Sequence, residues 1–524
     1  MESLFEQLKD YGEKDYYPYH MPGHKRNALG SLPEEIAQAD ITEIEGFDNL
    51  HQPEGILLKL QEKAAELYHA EQSFYLINGS TGGILSAISA ATPIKGHILM
   101  ARNSHKAAYH AAYLRNLNIS YLYPPLLQDY DICDAVTPSQ IEEAIKIEPD
   151  IQAVFVTSPT YEGRIADVAG IAEVVHKAGL PLIVDEAHGA HLGLAENFAK
   201  NSCQAGADIV IHSVHKTLPA MTQAALLHVN GNRVSGEKLQ RFLHIYQTSS
   251  PSYILMASID NALRVVEKQG TRLFAEFKSN FENMLGELAQ CENLQFLPVS
   301  NAPEFKKDLV TATGSGEDTE SSKKSPKAAM QDIGKLVIST KKAGISGQTL
   351  YHILLEKYHL QLEMASASYC LAMFTIGDSE EAYLRMTKAL LEIDAKIVNK
   401  KKNRDSDGEI LQKAQSKAEN QTTNKVRLES PVTDLLEPNK NPAIPLARAW
   451  DGEKISVPLE QAAGCYAGEF INLYPPGVPL LVPGEQFTEK HCTYLAEYLR
   501  QGLNVQGIER KQAQYYVSVV HSGH

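Results

Sequence analysis

Lys216 lies in Ser213-Val214-His215-Lys216-Thr217, directly after an apolar run that ends at His212. A lysine at the end of a strand is usually a solvated surface residue. Here small and hydroxyl-bearing neighbours leave room for a ligand, and a lysine amine condenses with aldehydes. Asp185 closes the apolar run Leu180-Pro181-Leu182-Ile183-Val184 and is followed by Glu186-Ala187-His188. A carboxylate at the end of a buried strand needs a cationic partner. A protonated pyridine nitrogen would satisfy it and would be held protonated by it. Taken alone, Asp185 reads as the cap of a turn. Asn78-Gly79-Ser80-Thr81-Gly82-Gly83 leads into a helical stretch at 84–91. Free backbone N–H groups and two hydroxyls at a helix start suit a phosphate, although Ser80 or Thr81 is equally a plain N-cap. His105 and His188 read singly as polar turn residues; beside a flat ring, one could stack and the other hydrogen-bond.

The elements that must position these residues follow from the apolar runs. Strands are expected at 74–77, 97–101, 153–157, 181–184 and 208–212, with helical stretches such as 168–178 between some of them. Such alternation implies a mostly parallel sheet with helices on both faces. The sets beginning at Asn78, Arg102, Ser158, Asp185 and Ser213 each stand just past the carboxyl end of one strand. Open α/β sheets bind ligands at that edge. The expected organisation is an N-terminal segment (1–49), a large domain (50–265), a smaller α/β domain (266–395), a polar linker (396–440) and a small C-terminal domain (441–524). Residues 313–327 read Thr-Gly-Ser-Gly-Glu-Asp-Thr-Glu-Ser-Ser-Lys-Lys-Ser-Pro-Lys, a composition that cannot bury a core and is expected to be a disordered loop.

Composition narrows the partners. The chain has 524 residues, 43% hydrophobic and 22% charged, too long for one core and ordinary for a globular protein. A formal net charge of -15 argues against nucleic acid. No apolar run is long enough to span a bilayer, and the first residues lack a secretory pattern. The six scattered cysteines form no Cys-x-x-Cys pair. No zinc site or disulfide framework is therefore expected, and a reducing cytoplasm is the expected location.

Together the parts describe a site for pyridoxal 5'-phosphate (PLP): a phosphate cup, a ring platform, a carboxylate for the ring nitrogen and a lysine for the aldehyde. The sequence resembles the Orn/Lys/Arg decarboxylase family, of the aminotransferase-like PLP fold type I. The resemblance rests on His20-Met21-Pro22-Gly23-His24-Lys25, Gly46-Phe47-Asp48-Asn49-Leu50-His51 with Pro53-Glu54-Gly55, and the sets at Asn78, Arg102 and Asp185. It rests also on Thr157-Ser158-Pro159-Thr160-Tyr161 with Gly163, Ser213-Val214-His215-Lys216, Ser249-Ser250-Pro251-Ser252-Tyr253, and Tyr474-Pro475-Pro476-Gly477-Val478-Pro479 with Pro483-Gly484-Glu485. It covers nearly the whole chain and looks like the short form of the family. It implies that Lys216 holds the cofactor covalently, Asp185 pairs with the pyridine nitrogen and His105 stacks on the ring. Ser80, Thr81 and Ser213 would hold the phosphate, with Gly82 in the same loop, and His188 and His215 would line the site. The implied reaction is decarboxylation of arginine, lysine or ornithine in polyamine biosynthesis, by a homodimer or a larger homo-oligomer. The polar stretches at 313–327 and 396–440 depart from the family pattern but fall outside its motifs.

The rivals are an aminotransferase or another PLP-dependent lyase on the same fold, and a non-catalytic regulatory homologue. Aminotransferases commonly clamp the substrate carboxylate with an arginine, and residues 361–376 contain none. A cationic substrate side chain needs a negative partner when buried. Glu485, which closes the rigid Pro- and Gly-rich segment, is the first candidate, and Glu469 the second.

Overall fold

The computed structural model describes residues 2–14, 16–27, 31, 33–196, 198–297, 329–402, 444–473, 477–500 and 502–521. The expected loop at 313–327, the linker beyond residue 402 and the motif residues Tyr474, Pro475 and Pro476 lie outside the described residues.

The centre of the molecule is a seven-stranded sheet. Its strands are β1 (Gln72–Leu76), β2 (His97–Ala101), β3 (Asn118–Leu122), β4 (Ala153–Thr157), β5 (Leu182–Asp185), β6 (Ile209–His212) and β7 (Ala225–Val229). They lie in the order β1-β7-β6-β5-β4-β2-β3. Pairings from β3 to β6 are parallel, and β7 is antiparallel to both β6 and β1. All strands except β7 therefore run the same way, and their carboxyl ends share one edge. Both faces are covered, which explains the unbroken apolar runs of the sequence. Successive residues alternate between two cores: Ile98, Met100, Phe155, Ile183 and Ile211 face one, and Leu99, Val154, Val156, Val184 and Val210 face the other.

A second, antiparallel sheet comprises β8 (Gln295–Leu297), β9 (Lys335–Ser339), β10 (Met364–Ala365) and β11 (Tyr369–Met373), in the order β8-β9-β11-β10. The C-terminal region adds two three-stranded antiparallel sheets around the helix Glu489–Arg500. The boundary expected at 265/266 needs correcting. It falls inside one helix, Tyr253–Leu288, which runs 36 residues without interruption. One hydrophobic core holds both ends of that helix together with Leu4, Leu57 and Leu226 and with Leu336, Ile338 and Phe374 of the second sheet. The helix Glu380–Lys402 likewise continues into the stretch expected to be linker.

Candidate active site

The five residue sets stand together because β1, β2, β4, β5 and β6 end at the same sheet edge. Asp185 is the last residue of β5 and is buried. Its Oδ1 accepts the Ala187 N–H at 3.2 Å. Burial raises its pKa, opposed by the positive charge of Lys216. Lys216 follows β6 in the short helix Val214–Thr217. Burial lowers its pKa, opposed by Asp185 and Glu363. The Lys216 Nζ lies 3.0 Å from His188 Nε2. His188 is buried, and burial and the two lysines beside it hold it well below the ordinary histidine value. The Tyr161 ring meets it edge-on at 4.9 Å, and the Tyr161 hydroxyl donates to Glu363. His215 donates through Nδ1–H to the Ala224 carbonyl at 3.0 Å, and burial lowers its pKa.

The glycine-rich segment is itself helical: the helix runs Gly79–Ala91, with Asn78 as its N-cap and no side-chain cap. Ser80 and Thr81 are therefore not capping residues, and the first-turn N–H groups face the sheet edge. The Ser213 hydroxyl donates to the Ser80 hydroxyl at 2.9 Å, which joins the ends of β1 and β6. Gly82 is buried, whereas Thr81 is exposed. His105 caps the helix Lys106–Arg115, its Nδ1 accepting the Ala107 N–H at 3.2 Å. Burial and Lys216 push it down to about 4, so its ring is neutral at ordinary pH. An amine, a buried carboxylate, a neutral imidazole and paired hydroxyls at a helix start form a donor set suited to PLP. The Thr217 hydroxyl beside Lys216 is buried and has no partner among the described residues, as expected beside a ligand site.

The two glutamates expected to meet the substrate have partners within their own chain. Glu485 accepts Arg102 Nε at 3.1 Å and Nη2 at 2.8 Å, and its Oε2 also accepts the Val482 N–H at 2.9 Å. Glu469 accepts the Trp450 indole N–H at 3.0 Å and the Phe470 N–H at 2.9 Å. Both carboxylates fasten the C-terminal region, Glu485 by binding Arg102 and Glu469 by binding Trp450.

The major-domain model of the Orn/Lys/Arg decarboxylases matches residues 2–382, and their C-terminal-domain model matches residues 425–521. The chain belongs to the Orn/Lys/Arg decarboxylase family. An arginine decarboxylase of Bacillus subtilis (strain 168) is 30% identical over 97% of this chain and 95% of its own. That of Bacillus anthracis is 28% identical over 97% and 94%. The crystal structure of the Francisella novicida lysine decarboxylase LdcF shares the fold, with a TM-score of 0.77 at 18% identity over 99% of this chain and 81% of that one. The decarboxylase acts on a basic amino acid and uses pyridoxal phosphate. No helix among its described residues is long and apolar enough to cross a membrane.

Sequence reasoning missed two residues beside the candidate site, Lys335 and Glu363. Lys335 opens β9 and is 1% exposed, and its Nζ lies 2.9 Å from His188 Nδ1. The signal was present: a lysine heads the otherwise apolar strand Lys335–Ser339. Glu363, whose charge acts on both lysines, also went unremarked.

Proposed function

We propose that Lys216 carries the cofactor and that Asp185 pairs with its ring nitrogen. His105 stacks on the ring, and Ser80, Thr81, Gly82 and Ser213 form the phosphate cup, with His188 and His215 lining the site. The observation that carries this reading is the Lys216 amine, held against His188 one strand away from the buried Asp185. Bound PLP supplies an electron sink for the pair left on Cα when CO2 departs. Asp185, as the anion, stabilises positive charge on the group it faces and so deepens that sink. Lys216, with a lowered pKa, is suited to return a proton to Cα through Nζ, and His215 is the alternative donor.

The substrate reading is arginine, supported by the names of the two Bacillus relatives. The exposed Glu363, which accepts the Tyr161 hydroxyl and whose charge acts on Lys216, is the carboxylate assigned to the substrate's cationic end. A homodimer is supported by the exposed Tyr16, Tyr17, Tyr19 and Met21 on the N-terminal segment. A reducing cytoplasm suits the six free cysteines.

Amine formation and CO2 release should be measured with arginine, lysine and ornithine. Arginine should give the highest kcat/KM, and Lys216→Ala should remove the cofactor's absorbance band and reduce turnover at least about 10³-fold. Preference for lysine or ornithine overturns the substrate reading. A transaminated product overturns the proposed use of these residues for decarboxylation.

A further inference from the structure

The long helix Tyr253–Leu288 and the helix Glu380–Lys402 leave a groove between them, a cavity of about 430 Å³. Asn280, Asn283 and Glu287 line it from the first helix, and Glu380, Tyr383 and Leu384 from the second. None of these residues belongs to the candidate active site.

Two anchors give the relative direction of the helices. Tyr383 stacks on Phe374 at 5.0 Å, and Phe374 meets Phe281 edge-on at 5.4 Å. Further along, Asp394 accepts the N–H groups of Asn293 and Leu294 at 2.9 and 2.8 Å. The helices therefore run the same way past the groove. Glu380 stands at the end near Asn280, and Glu287 lies toward the other end. At about 1.5 Å per residue, the two carboxylates are at least about 10 Å apart along the groove.

The walls are unbalanced in charge. Glu282, Glu287 and Glu380 line the groove, and no lysine or arginine among the described residues does. Lys278 approaches Glu282 at 3.9 Å. Glu287 and Glu380 are exposed, and no cation pairs with either among the described residues. A second feature is independent of these charges. Tyr383 is 3% exposed, and its hydroxyl has no partner among the described residues. A helical side chain leans toward the start of its helix, which carries the Tyr383 ring over Glu380 at the same end of the groove. A buried hydroxyl without a partner marks a place where a bound group is missing. Between the two ends, Leu384 is 51% exposed and offers an apolar wall.

The order of these features selects the occupant. A metal ion does not fit, because no group of His, Cys, Asp and Glu side chains among the described residues could hold one. Negative charge at both ends, with an apolar stretch between, complements a methylene chain that carries ammonium groups at its ends. We propose that this groove binds a linear aliphatic polyamine, one terminal ammonium donating to Glu380 and the Tyr383 oxygen and the other to Glu287. The site is separate from Lys216, and its occupancy does not depend on how Lys216 is used.

The test is hydrogen–deuterium exchange of the full-length holoenzyme titrated with spermidine, read by peptide mass spectrometry. Spermidine should slow exchange in peptides covering residues 280–287 and 380–387, and the half-maximal concentration read there reports the groove and not the active site. Glu287→Gln combined with Glu380→Gln should raise that concentration at least about tenfold. Tyr383→Phe keeps the ring and should raise it about threefold. Both glutamates are exposed, so the double variant should fold as the wild type does. Putrescine, too short to reach from one carboxylate to the other, should protect the same peptides at least about tenfold more weakly. Mg2+ should not protect them. The proposal is overturned by an absence of protection at these peptides, by Mg2+ or putrescine protecting as well as spermidine, or by an unmoved half-maximal concentration in the double variant or in Tyr383→Phe.

Discussion

Arg102 and Lys216 are cations at the same sheet edge, one after β2 and one after β6, and the chain treats them in opposite ways. Arg102 is 2% exposed, and all five of its N–H groups are used. They reach Glu485 twice, the Pro479 and Leu480 carbonyls and the Tyr109 hydroxyl. That is a matched charge, and it pins the C-terminal strand Pro479–Leu481 to the central sheet. Lys216 meets a neutral ring with a second lysine behind it, and Asp185 and Glu363 act on it only through their charge. The first arrangement favours the charged form and fixes a structure. The second disfavours it and leaves a reactive amine. Burial of a cation is thus no guide to its role; the count of its satisfied donors is.

The comparison breaks most visibly where each carboxylate is removed from its cation. Arg102→Met strands the Glu485 carboxylate and should cost about 3–5 kcal/mol in urea unfolding. Arg102→Met with Glu485→Met should recover much of that loss, whereas an equal loss in both would deny that the pair is matched. Asp185→Ala should act oppositely: a melting temperature near that of the wild type, with kcat reduced about 10²–10³-fold. Near-normal turnover in that variant counts against its pairing role.

A smaller effect sharpens the contrast with a carboxylate that has no permanent cation. Glu186 is buried beside Asp185, accepts the Ser202 hydroxyl at 2.7 Å and shares a proton with His212 Nε2 at 2.7 Å. Burial raises it to about 8. The folded state then keeps a proton that the unfolded chain has already lost, so stability falls as pH rises from the ordinary carboxylate range to about 8. Glu186→Gln should flatten that fall in denaturant titrations between pH 5 and about 8; an unchanged slope would place the proton elsewhere. Glu469→Gln should have the least effect, about 1 kcal/mol or less in stability, with preference for a cationic substrate unaltered. A lost preference would return Glu469 to the substrate.

Five of the seven strands of the central sheet were legible, the inner ones because they are buried on both faces and so read as unbroken apolar runs, whereas β3 and β7 were not expected. The expected strands match the observed ones to within two residues at either end. The candidate cofactor residues were legible for the related reason that each stands immediately after such a run. What stayed hidden depends on partners far apart in the chain. Arg102 and Glu485 are 383 positions apart, and nothing local in either motif announces that they meet. Lys335 is 147 positions from His188, and its access depends on the missing side chain of Gly163. The boundary expected at 265 falls inside the helix Tyr253–Leu288, which continues across it. An amphipathic helix can keep its apolar stripe in one core along its whole length with no signal in residue usage.

That helix has a mechanical consequence. At about 1.5 Å per residue it is a rod about 54 Å long. Its first turns are packed beneath the central sheet, and its last turns are packed with β9 and β11. A rod resists bending far more than a flexible loop resists extension. The second sheet is therefore fixed twice over, by this rod and by direct bonds to the rest of the molecule: Lys341 to Asp131 at 2.9 Å and Tyr369 to Glu162 at 3.0 Å. Lys335 belongs to that sheet, so its place beside His188 is braced from two sides.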